Sequence, residues 1–202
     1  SRFTVTRPGG QAPLQVELHL AGRHNAQNAL AAIAVALELE VPDEALLRAL
    51  KNFGGIDRRM QELGDLAAGE GRALLVDDYG HHPTELERTL EAIRGAWPER
   101  RVVVAFQPHR YSRTRDLMDD FARVLCGADA LLLCEVYAAG EAAIPGADGR
   151  ALARAIRSRG KVEPVFVEQV EALPEVLATV LQPGDLVVTF GAGSIGVVAA
   201  GL

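Results

Sequence analysis

The stretch Val76-Asp77-Asp78-Tyr79-Gly80-His81-His82-Pro83-Thr84 is the clearest indication of the fold class, because it passes from an apolar run into polar side chains and then into a helical pattern. A second stretch, Phe106-Gln107-Pro108-His109-Arg110-Tyr111-Ser112-Arg113-Thr114, does the same further along the chain. Open α/β sheets place their ligand-binding groups at this point, beyond the carboxyl ends of their strands. The two stretches therefore predict a polar functional site at one edge of such a sheet.

Apolar strand patterns and helical patterns alternate through the second part of the chain. The strand candidates are 73–78, 101–106, 130–136, 164–168 and 185–190, and the helical patterns are 84–97, 115–126, 149–159, 171–181 and 194–201. Parallel strands need crossovers, and those crossovers are usually helices. The alternation therefore predicts an α/β fold with a Rossmann-like, mostly parallel sheet and helices on both faces. Residues 60–66 are expected to add a strand beside the first.

The beginning of the chain has a different pattern, with two short alternating strands and two helical segments. These elements are Arg2–Thr6, Leu14–Leu18, Asn25–Glu40 and Pro42–Leu50. An isolated hairpin is barely stable in water, so we expect this part to be the tail of a larger sheet. Turn residues at 53–57 indicate a linker. The predicted domains are therefore residues 1–55 and 56–202.

Composition limits the classes of partner. The 202 residues carry a formal net charge of −6, which argues against nonspecific binding to nucleic acid or to an anionic membrane. No apolar run approaches the ~18 to 20 residues that span a bilayer, and the N-terminus lacks the apolar core of a signal peptide. Cys126 and Cys134 are expected to be buried, reduced thiols. These features favour a cytoplasmic protein.

The segment Gly22–Asn28 precedes the first long helical pattern and contains His24, Asn25 and Asn28. A helix N-terminus offers unpaired N–H groups, so these side chains could bind a phosphate or the edge of a purine. Asn25 could equally cap the helix, a role that asparagine takes readily. Both interpretations stay open at this point.

Arg58 and Arg59 follow the glycines of the linker. A guanidinium can bind phosphate oxygens in a bidentate manner, although two adjacent arginines are more often a solvated surface. Within the stretch that follows, Asp78 could accept hydrogen bonds from ribose hydroxyls, and the imidazoles of His81 and His82 could donate to a phosphate or carboxylate. The alternative for the aspartate is a carboxylate that caps the next helix.

The stretch 106–115 packs three arginines and a histidine between a strand and a helix. Such a cluster can hold a carboxylate or a phosphate, although a solvated loop is the alternative. Residues 137–141 follow the next strand and are placed at the same rim. Residues 191–196 imitate a dinucleotide fingerprint, but no acidic residue follows at the required distance. We therefore interpret them as tight strand-to-helix packing with a backbone contact to substrate, and we assign no metal ligand.

In their order and spacing these motifs resemble the Mur ligases over essentially all 202 residues. The resemblance rests on Gly22–Ala32, Phe53–Arg59, Asp77–Thr84, Phe106–Thr114, Tyr137–Glu141 and Gly184–Gly196. Members of that family have an N-terminal domain for the UDP-sugar, a central ATPase domain with a P-loop, and a C-terminal Rossmann-like domain. The chain resembles the end of the second domain and all of the third. It has no P-loop sequence, so we expect it to be inactive alone.

The resemblance implies a ligase of peptidoglycan synthesis that uses ATP and Mg²⁺ to join L-alanine to UDP-N-acetylmuramate through an acyl phosphate. The magnesium would be held mostly by the rest of the ligase chain. By resemblance, His24, Asn25 and Asn28 lie near adenine, Arg59 meets the phosphates and Asp78 meets the ribose. Tyr79, His81 and His82 line the junction with the amino acid, and His109, Arg110 and Arg113 hold its carboxylate. The catalytic residues implied are His82, His109 and Arg110.

Two other functions remain open. Within the same superfamily, a recycling ligase attaches an intact tripeptide to the same sugar nucleotide, and folylpolyglutamate synthase is a more distant relative. The absence of a P-loop sequence also allows a nucleotide-binding or docking module that acts on a separate ATPase chain.

Overall fold

The computed structural model describes residues 1–202, which form two compact units. The first unit contains Ser1–Ile56 and Glu91–Pro98, and the second contains Asp57–Leu90 and Glu99–Leu202. The two polar stretches, 76–84 and 106–114, both belong to the second unit. None of the helices combines the length and the apolar character that crossing a bilayer requires.

The first unit contains an antiparallel hairpin and two helices, as the sequence predicts. Its elements are β1 (Arg2–Val5), β2 (Leu14–Glu17), α1 (Arg23–Glu38) and α2 (Asp43–Asn52). Alternate residues of β2, Leu14 and Val16, are buried with Ile33 of α1 and Leu50 of α2. A strand that alternates in this way has one apolar face, which the two helices cover.

One expectation for α1 is wrong, since Asn25 does not cap the helix. The helix begins two residues earlier, at Arg23, and the residue before it is Gly22 with φ of +96°. The side-chain amide of Asn25 instead donates a hydrogen bond of 2.7 Å to the carbonyl of Ala21. Glycine permits this backbone entry into the helix, so an asparagine cap is not needed.

The second unit is built on a six-stranded sheet, which confirms the predicted fold class. Its strands are β3 (Gln61–Ala68), β4 (Gly71–Asp78), β5 (Val102–Phe106), β6 (Ala130–Cys134), β7 (Pro164–Val167) and β8 (Leu186–Phe190). They lie in the order β3-β4-β8-β5-β6-β7. Every neighbouring pair is parallel except β3 and β4, so β3 is the added strand expected at residues 60–66.

Helices cover both faces of this sheet, and except at 115–126 their bounds follow the predicted patterns to within two residues. They are α3 (Pro83–Ala96), α4 (Tyr111–Asp116), α5 (Met118–Leu125), α6 (Gly149–Arg157), α7 (Leu173–Val180) and α8 (Ile195–Ala200). Every residue of β5 and β8 is buried, as expected for central parallel strands. On one face Phe106 packs on Phe121 of α5 with ring centroids 5.3 Å apart. On the other face Cys134 lies with Leu173 and Leu177 of α7.

The predicted helix 115–126 begins too late. The structure has two consecutive helices there, α4 and α5, and α4 starts at Tyr111. The carboxylate of Glu141 accepts hydrogen bonds from both the backbone N–H and the hydroxyl of Ser112, at 3.0 and 2.6 Å. A carboxylate from a distant loop thus satisfies the first turn of the helix. Arg113 consequently lies on a helix and not in a loop.

Candidate functional site

Four aromatic and imidazole rings form a continuous row beyond the carboxyl ends of β4, β5 and β6. Tyr79 meets His81 edge-on at 5.4 Å between centroids, and His81 lies 5.8 Å from His109. His109 stacks on Tyr137 at 5.5 Å with an interplanar angle of 23°. We call Tyr79, His81, His109 and Tyr137 the ring row. It brings together side chains from three separate loops of the sequence.

The loops that carry the second half of the ring row are tied together by backbone hydrogen bonds. Arg110 N donates to Tyr137 O and Tyr137 N donates to Pro108 O, both at 2.8 Å. Arg110 adopts φ of +73° and ψ of 135°, a conformation that non-glycine residues rarely take. Its carbonyl accepts from the backbone and hydroxyl of Thr114, which is fully buried. The site thus holds the backbone of Arg110 in place.

His109 lies in a cationic environment. The Nη1 atom of Arg113 is 3.3 Å from Nδ1 of His109 and donates to its carbonyl at 3.1 Å. A guanidinium can only donate, so Nδ1 accepts and the proton of the neutral ring sits on Nε2. Burial, then the charges of Arg113, His81 and Arg110, lower the pKa of His109, against a small opposing effect of Glu141. His109 is therefore neutral at pH 7 and presents an N–H donor.

The segment after Gly80 organises the start of α3 around Glu85. One carboxylate oxygen of Glu85 accepts from the backbone N–H groups of His81 and His82, at 2.9 and 3.1 Å. Nδ1 of His82 accepts from the N–H of Thr84 at 3.2 Å. Burial alone would raise the pKa of Glu85, but these hydrogen bonds and the nearby charges of His81 and Arg59 lower it. The arrangement is a capping box in which His82 takes the N-cap role.

The catalytic role expected for His82 stays a prediction, and in this structure its ring nitrogen caps α3. His81 is placed differently, since its Nδ1 lies 3.1 Å from the carbonyl of Tyr79. When Nδ1 donates to a carbonyl, Nε2 of the neutral ring is left as an acceptor. In the state in which His81 is neutral, the ring row therefore offers an acceptor at Nε2 of His81 beside the donor at His109.

Arg110 extends toward Glu141, with 3.9 Å between Nη1 and Oε1. Its side chain is 49% exposed, so the guanidinium is open to a ligand. Hydrogen bonds from Ser112, then the charge of Arg110, lower the pKa of Glu141 and keep it ionised. Arg110 and Arg113 thus place two guanidinium groups beside the ring row.

Asp78 is buried and fully engaged within the chain. Its carboxylate accepts from Gly80 N at 2.7 Å, Met60 N at 2.9 Å and the hydroxyl of Thr89 at 3.3 Å. Only 3% of the residue is exposed. Burial raises its pKa, and these hydrogen bonds oppose the rise. The carboxylate holds the segment before β3 and the segment after β4 together, and its contact with a ribose stays a prediction.

The glycine run after β8 packs tightly, as the sequence predicts. A Cβ on Gly191 would lie 2.9 Å from the carbonyl of Gln107, and one on Gly193 would lie 2.7 Å from the ring of Tyr137. The side-chain oxygen of Gln107 accepts from Ile195 N at 2.9 Å, which satisfies the start of α8. The absence of side chains here lets the end of the ring row approach the β8 loop.

The three residues predicted to lie near adenine share the first two turns of α1 in the first unit. His24 packs against Gly22, where a Cβ would lie 2.6 Å from its ring. Asn25 is half-buried and bonded to the carbonyl of Ala21, whereas Asn28 is exposed. Arg59, predicted to meet the phosphates, lies in the second unit 3.5 Å from Glu85. The nucleotide contacts of these side chains stay predictions.

No group of three or more histidine, cysteine, aspartate or glutamate side chains in residues 1–202 is arranged to hold a metal ion. The site offers guanidinium groups, an N–H donor and a ring acceptor. Such a set binds a carboxylate through the arginines and an amine or ammonium through the acceptor. A small amino acid carries both groups.

No role was predicted from the sequence for Glu85 or Gln107, Glu141 was placed only as part of the rim segment 137–141, and a solvated surface was favoured for Arg58. The role of Glu85 could have been predicted from nearby residues, because Glu85 follows the N-cap residue His82 by three positions, which is the spacing of a capping box. Glu141 and Gln107 bond to residues 29 and 88 positions away. Partners so distant in the sequence are set by the fold.

The fold and the site together define an α/β domain that presents cationic and imidazole groups at the carboxyl edge of its sheet. The family model described as Mur ligase, glutamate ligase domain matches residues 58–193, and the chain belongs to this family. It is 61% identical over 199 residues to UDP-N-acetylmuramate–L-alanine ligase of Cupriavidus taiwanensis, a match that covers 96% of the chain and 42% of the relative. The chain therefore spans less than half the length of this relative.

Solved structures show the same similarity. The UDP-N-acetylmuramate–alanine ligase of Thermotoga maritima superimposes with a TM-score of 0.75 at 30% identity, over 95% of the chain and 39% of that protein. A murein peptide ligase of Psychrobacter arcticus gives a TM-score of 0.69 at 27% identity, over 100% of the chain and 42% of that protein.

Proposed function

We propose that the chain is the C-terminal part of an ATP-dependent ligase that joins L-alanine to UDP-N-acetylmuramate in the cytoplasm. The observation that carries this proposal is the 61% identity, over nearly the whole chain, to a relative with that name. Residues 1–55 are then the end of a central ATPase domain, and residues 56–202 are the C-terminal domain that brings the amino acid.

The ring row and its arginines support the assignment of the amino-acid site. Arg110 and Arg113 bind the carboxylate of L-alanine, as planar guanidinium groups do well. The acceptor nitrogen of His81 orients the amine, which must be neutral when it attacks. The N–H of His109 faces the negative charge that builds up in the tetrahedral intermediate, where a fixed donor is most effective.

ATP would transfer its γ-phosphoryl group to the muramate carboxylate, which gives a reactive acyl phosphate with ADP as the leaving group, and Mg²⁺ would offset the charge of the phosphates. Within the second unit, we assign Arg59 to the phosphates of ATP. We assign Asp78 to the ribose. His24, Asn25 and Asn28 are assigned to the adenine. The rest of the ligase chain holds the magnesium and the UDP-sugar.

The test uses the full-length protein that carries this chain and measures ADP and phosphate release. We expect release only when UDP-N-acetylmuramate and L-alanine are both present. The similarity to a murein peptide ligase makes the recycling reaction the second candidate. Equal turnover with an intact tripeptide in place of L-alanine would refute the assignment and favour that candidate.

A second arm uses residues 1–202 alone. We expect no ADP formation from this chain with all three substrates, because it contains no phosphate-binding loop sequence. Turnover by the isolated chain would contradict the proposal that ATP hydrolysis needs the rest of the ligase chain.

A further inference from the structure

We propose that Arg58 is a positioning residue that fixes the ring of Tyr79 beside the amino-acid site. The inference rests on the proposed function, because it takes Tyr79 to face bound L-alanine. Arg58 is not itself expected to touch substrate. Its role follows from its contacts with Asp77 at the end of β4, with Gly191 just after β8 and with Tyr79.

The guanidinium of Arg58 joins the ends of two neighbouring strands. Its Nε donates to Oδ2 of Asp77 at 2.7 Å, and its Nη2 donates to the carbonyl of Gly191 at 2.5 Å. Asp77 is buried at the end of β4, and its other oxygen accepts from the hydroxyl of Thr189 in β8 at 2.5 Å. A planar group with several fixed donors can make both bonds at once.

Tyr79 is held by the same residue in two ways. Its backbone N–H donates to the carbonyl of Arg58 at 2.6 Å, and the guanidinium carbon lies 5.1 Å from the centre of its ring. The backbone of Arg58 has φ of +58° and is fixed by a hydrogen bond from its N–H to Gln61 at 2.8 Å. Tyr79 is 37% exposed, so the hydrophobic core does not hold its ring. Its position depends on the cation beneath it.

Gly196 provides the space that this arrangement needs. A Cβ at this position would overlap the guanidinium of Arg58. A methyl group at residue 196 would therefore displace the cation without changing its charge. Substitution of Gly196 therefore gives a second way to perturb the Arg58 guanidinium, through its neighbour in α8 and not through Arg58 itself.

Arg59 also lies near the ring of Tyr79, at 5.7 Å, but its surroundings differ. Its side chain is 49% exposed and pairs with Glu85, whereas that of Arg58 is 26% exposed and pairs with buried Asp77. An exposed pair of this kind is weak, so Arg59 is free to move toward a ligand. The fixed cation of the two is Arg58.

The experiment measures steady-state kinetics of the full-length protein with Arg58→Lys and, separately, Gly196→Ala. Lysine keeps the charge but cannot make both hydrogen bonds and stack on the ring. We expect the KM for L-alanine to rise about tenfold, the equivalent of about 1.4 kcal/mol, in both variants. The KM for ATP should change less than about twofold, because the perturbation reaches the amino-acid side only.

Gly201→Ala is the matched control, since it lies just after α8 and a Cβ there would be 3.5 Å from its nearest neighbour. It should leave both KM values unchanged. Tyr79→Ala supplies the test of mechanism, because Arg58→Lys should add no further increase once the ring is gone. Tyr79→Phe, which keeps the ring, should still respond to Arg58→Lys.

Unchanged KM for L-alanine in both variants, with normal wild-type turnover, would overturn this inference and leave the proposed function intact. Equal rises in the KM of ATP and L-alanine, or an additive effect in the Tyr79→Ala background, would also overturn it. If Arg58→Lys does not fold, Gly196→Ala alone decides between these outcomes. Absence of wild-type turnover with L-alanine would refute the proposed function and this inference together.

Discussion

Replacing Arg110 separates the strain of its backbone from the function of its side chain. At φ of +73° an alanine keeps the unfavourable conformation, whereas a glycine relieves it. Arg110→Ala and Arg110→Gly both remove the guanidinium, so they differ only by the Cβ methyl group that makes a positive φ unfavourable. We expect Arg110→Gly to be the more stable of the two variants, although glycine usually destabilises a protein.

The magnitude follows from two opposing effects. A non-glycine residue in such a region costs about 1 to 3 kcal/mol. Glycine increases the freedom of the unfolded chain, which costs about 0.4 to 1 kcal/mol relative to alanine. The loss of the pair with Glu141, 3.9 Å away and half-exposed, is the same in both variants. The net difference therefore favours glycine by about 1 kcal/mol.

Urea unfolding of residues 1–202, followed by circular dichroism, measures this difference. With a slope of about 2 kcal/mol/M, the midpoint of Arg110→Gly should lie about 0.5 M above that of Arg110→Ala. In the full-length protein both variants should lose about 10- to 100-fold in kcat/KM for L-alanine, since each loses the same charged hydrogen bonds. A midpoint for Arg110→Ala equal to or above that of Arg110→Gly would refute the argument from strain.

Two further predictions concern Glu141 and Cys134. The pKa of Glu141 is lower in the folded protein than in the unfolded chain, so the ionised carboxylate stabilises the fold. This stabilisation is complete above the ordinary pKa of a glutamate and is lost as the pH falls through the lowered pKa. In thermal unfolding, the Tm of the wild type should therefore exceed that of Glu141→Gln at pH 7, and this difference should disappear below about pH 4. A Tm difference that does not change with pH would contradict this prediction. Burial raises the pKa of Cys134 to about 12. Cys126 is only half-buried, so the expectation that both thiols are buried is wrong for this residue. Iodoacetamide at pH 8 should therefore alkylate Cys126 first, as peptide mass spectrometry would show. Equal labelling of the two thiols in the folded protein would be the contrary result.

The sequence predicted the strands of the second unit well because their signal is local. Val102–Phe106 is a continuous apolar run and Leu186–Phe190 is interrupted only by Thr189, and so short a run between turn residues is typical of a strand buried on both faces. The start of α4 was missed, since Glu141 satisfies its first turn from 29 residues away. Asn25 was misplaced for a different reason, because Gly22 allowed the helix to begin without a side-chain cap.

For the candidate site, the sequence identified the loops but not the contacts between their side chains. That polar groups end β4 and β5 was visible from the order of residues, and strands in a parallel sheet share one carboxyl edge. Which rings meet was not visible. The stacking of His109 on Tyr137 depends on two backbone hydrogen bonds between loops and on the missing side chain of Gly193.

Apolar periodicity and turn residues were enough to predict a mostly parallel α/β sheet with polar groups at one edge, since burial and backbone geometry act over a few neighbouring residues. The position of β8, the last strand, between β4 and β5 is visible only in the folded sheet. That insertion brings Gly191 to Arg58 across 133 residues of sequence. Hydrogen bonds and ring contacts over such separations depend on the packing of the whole sheet, and for this reason no local pattern could specify them.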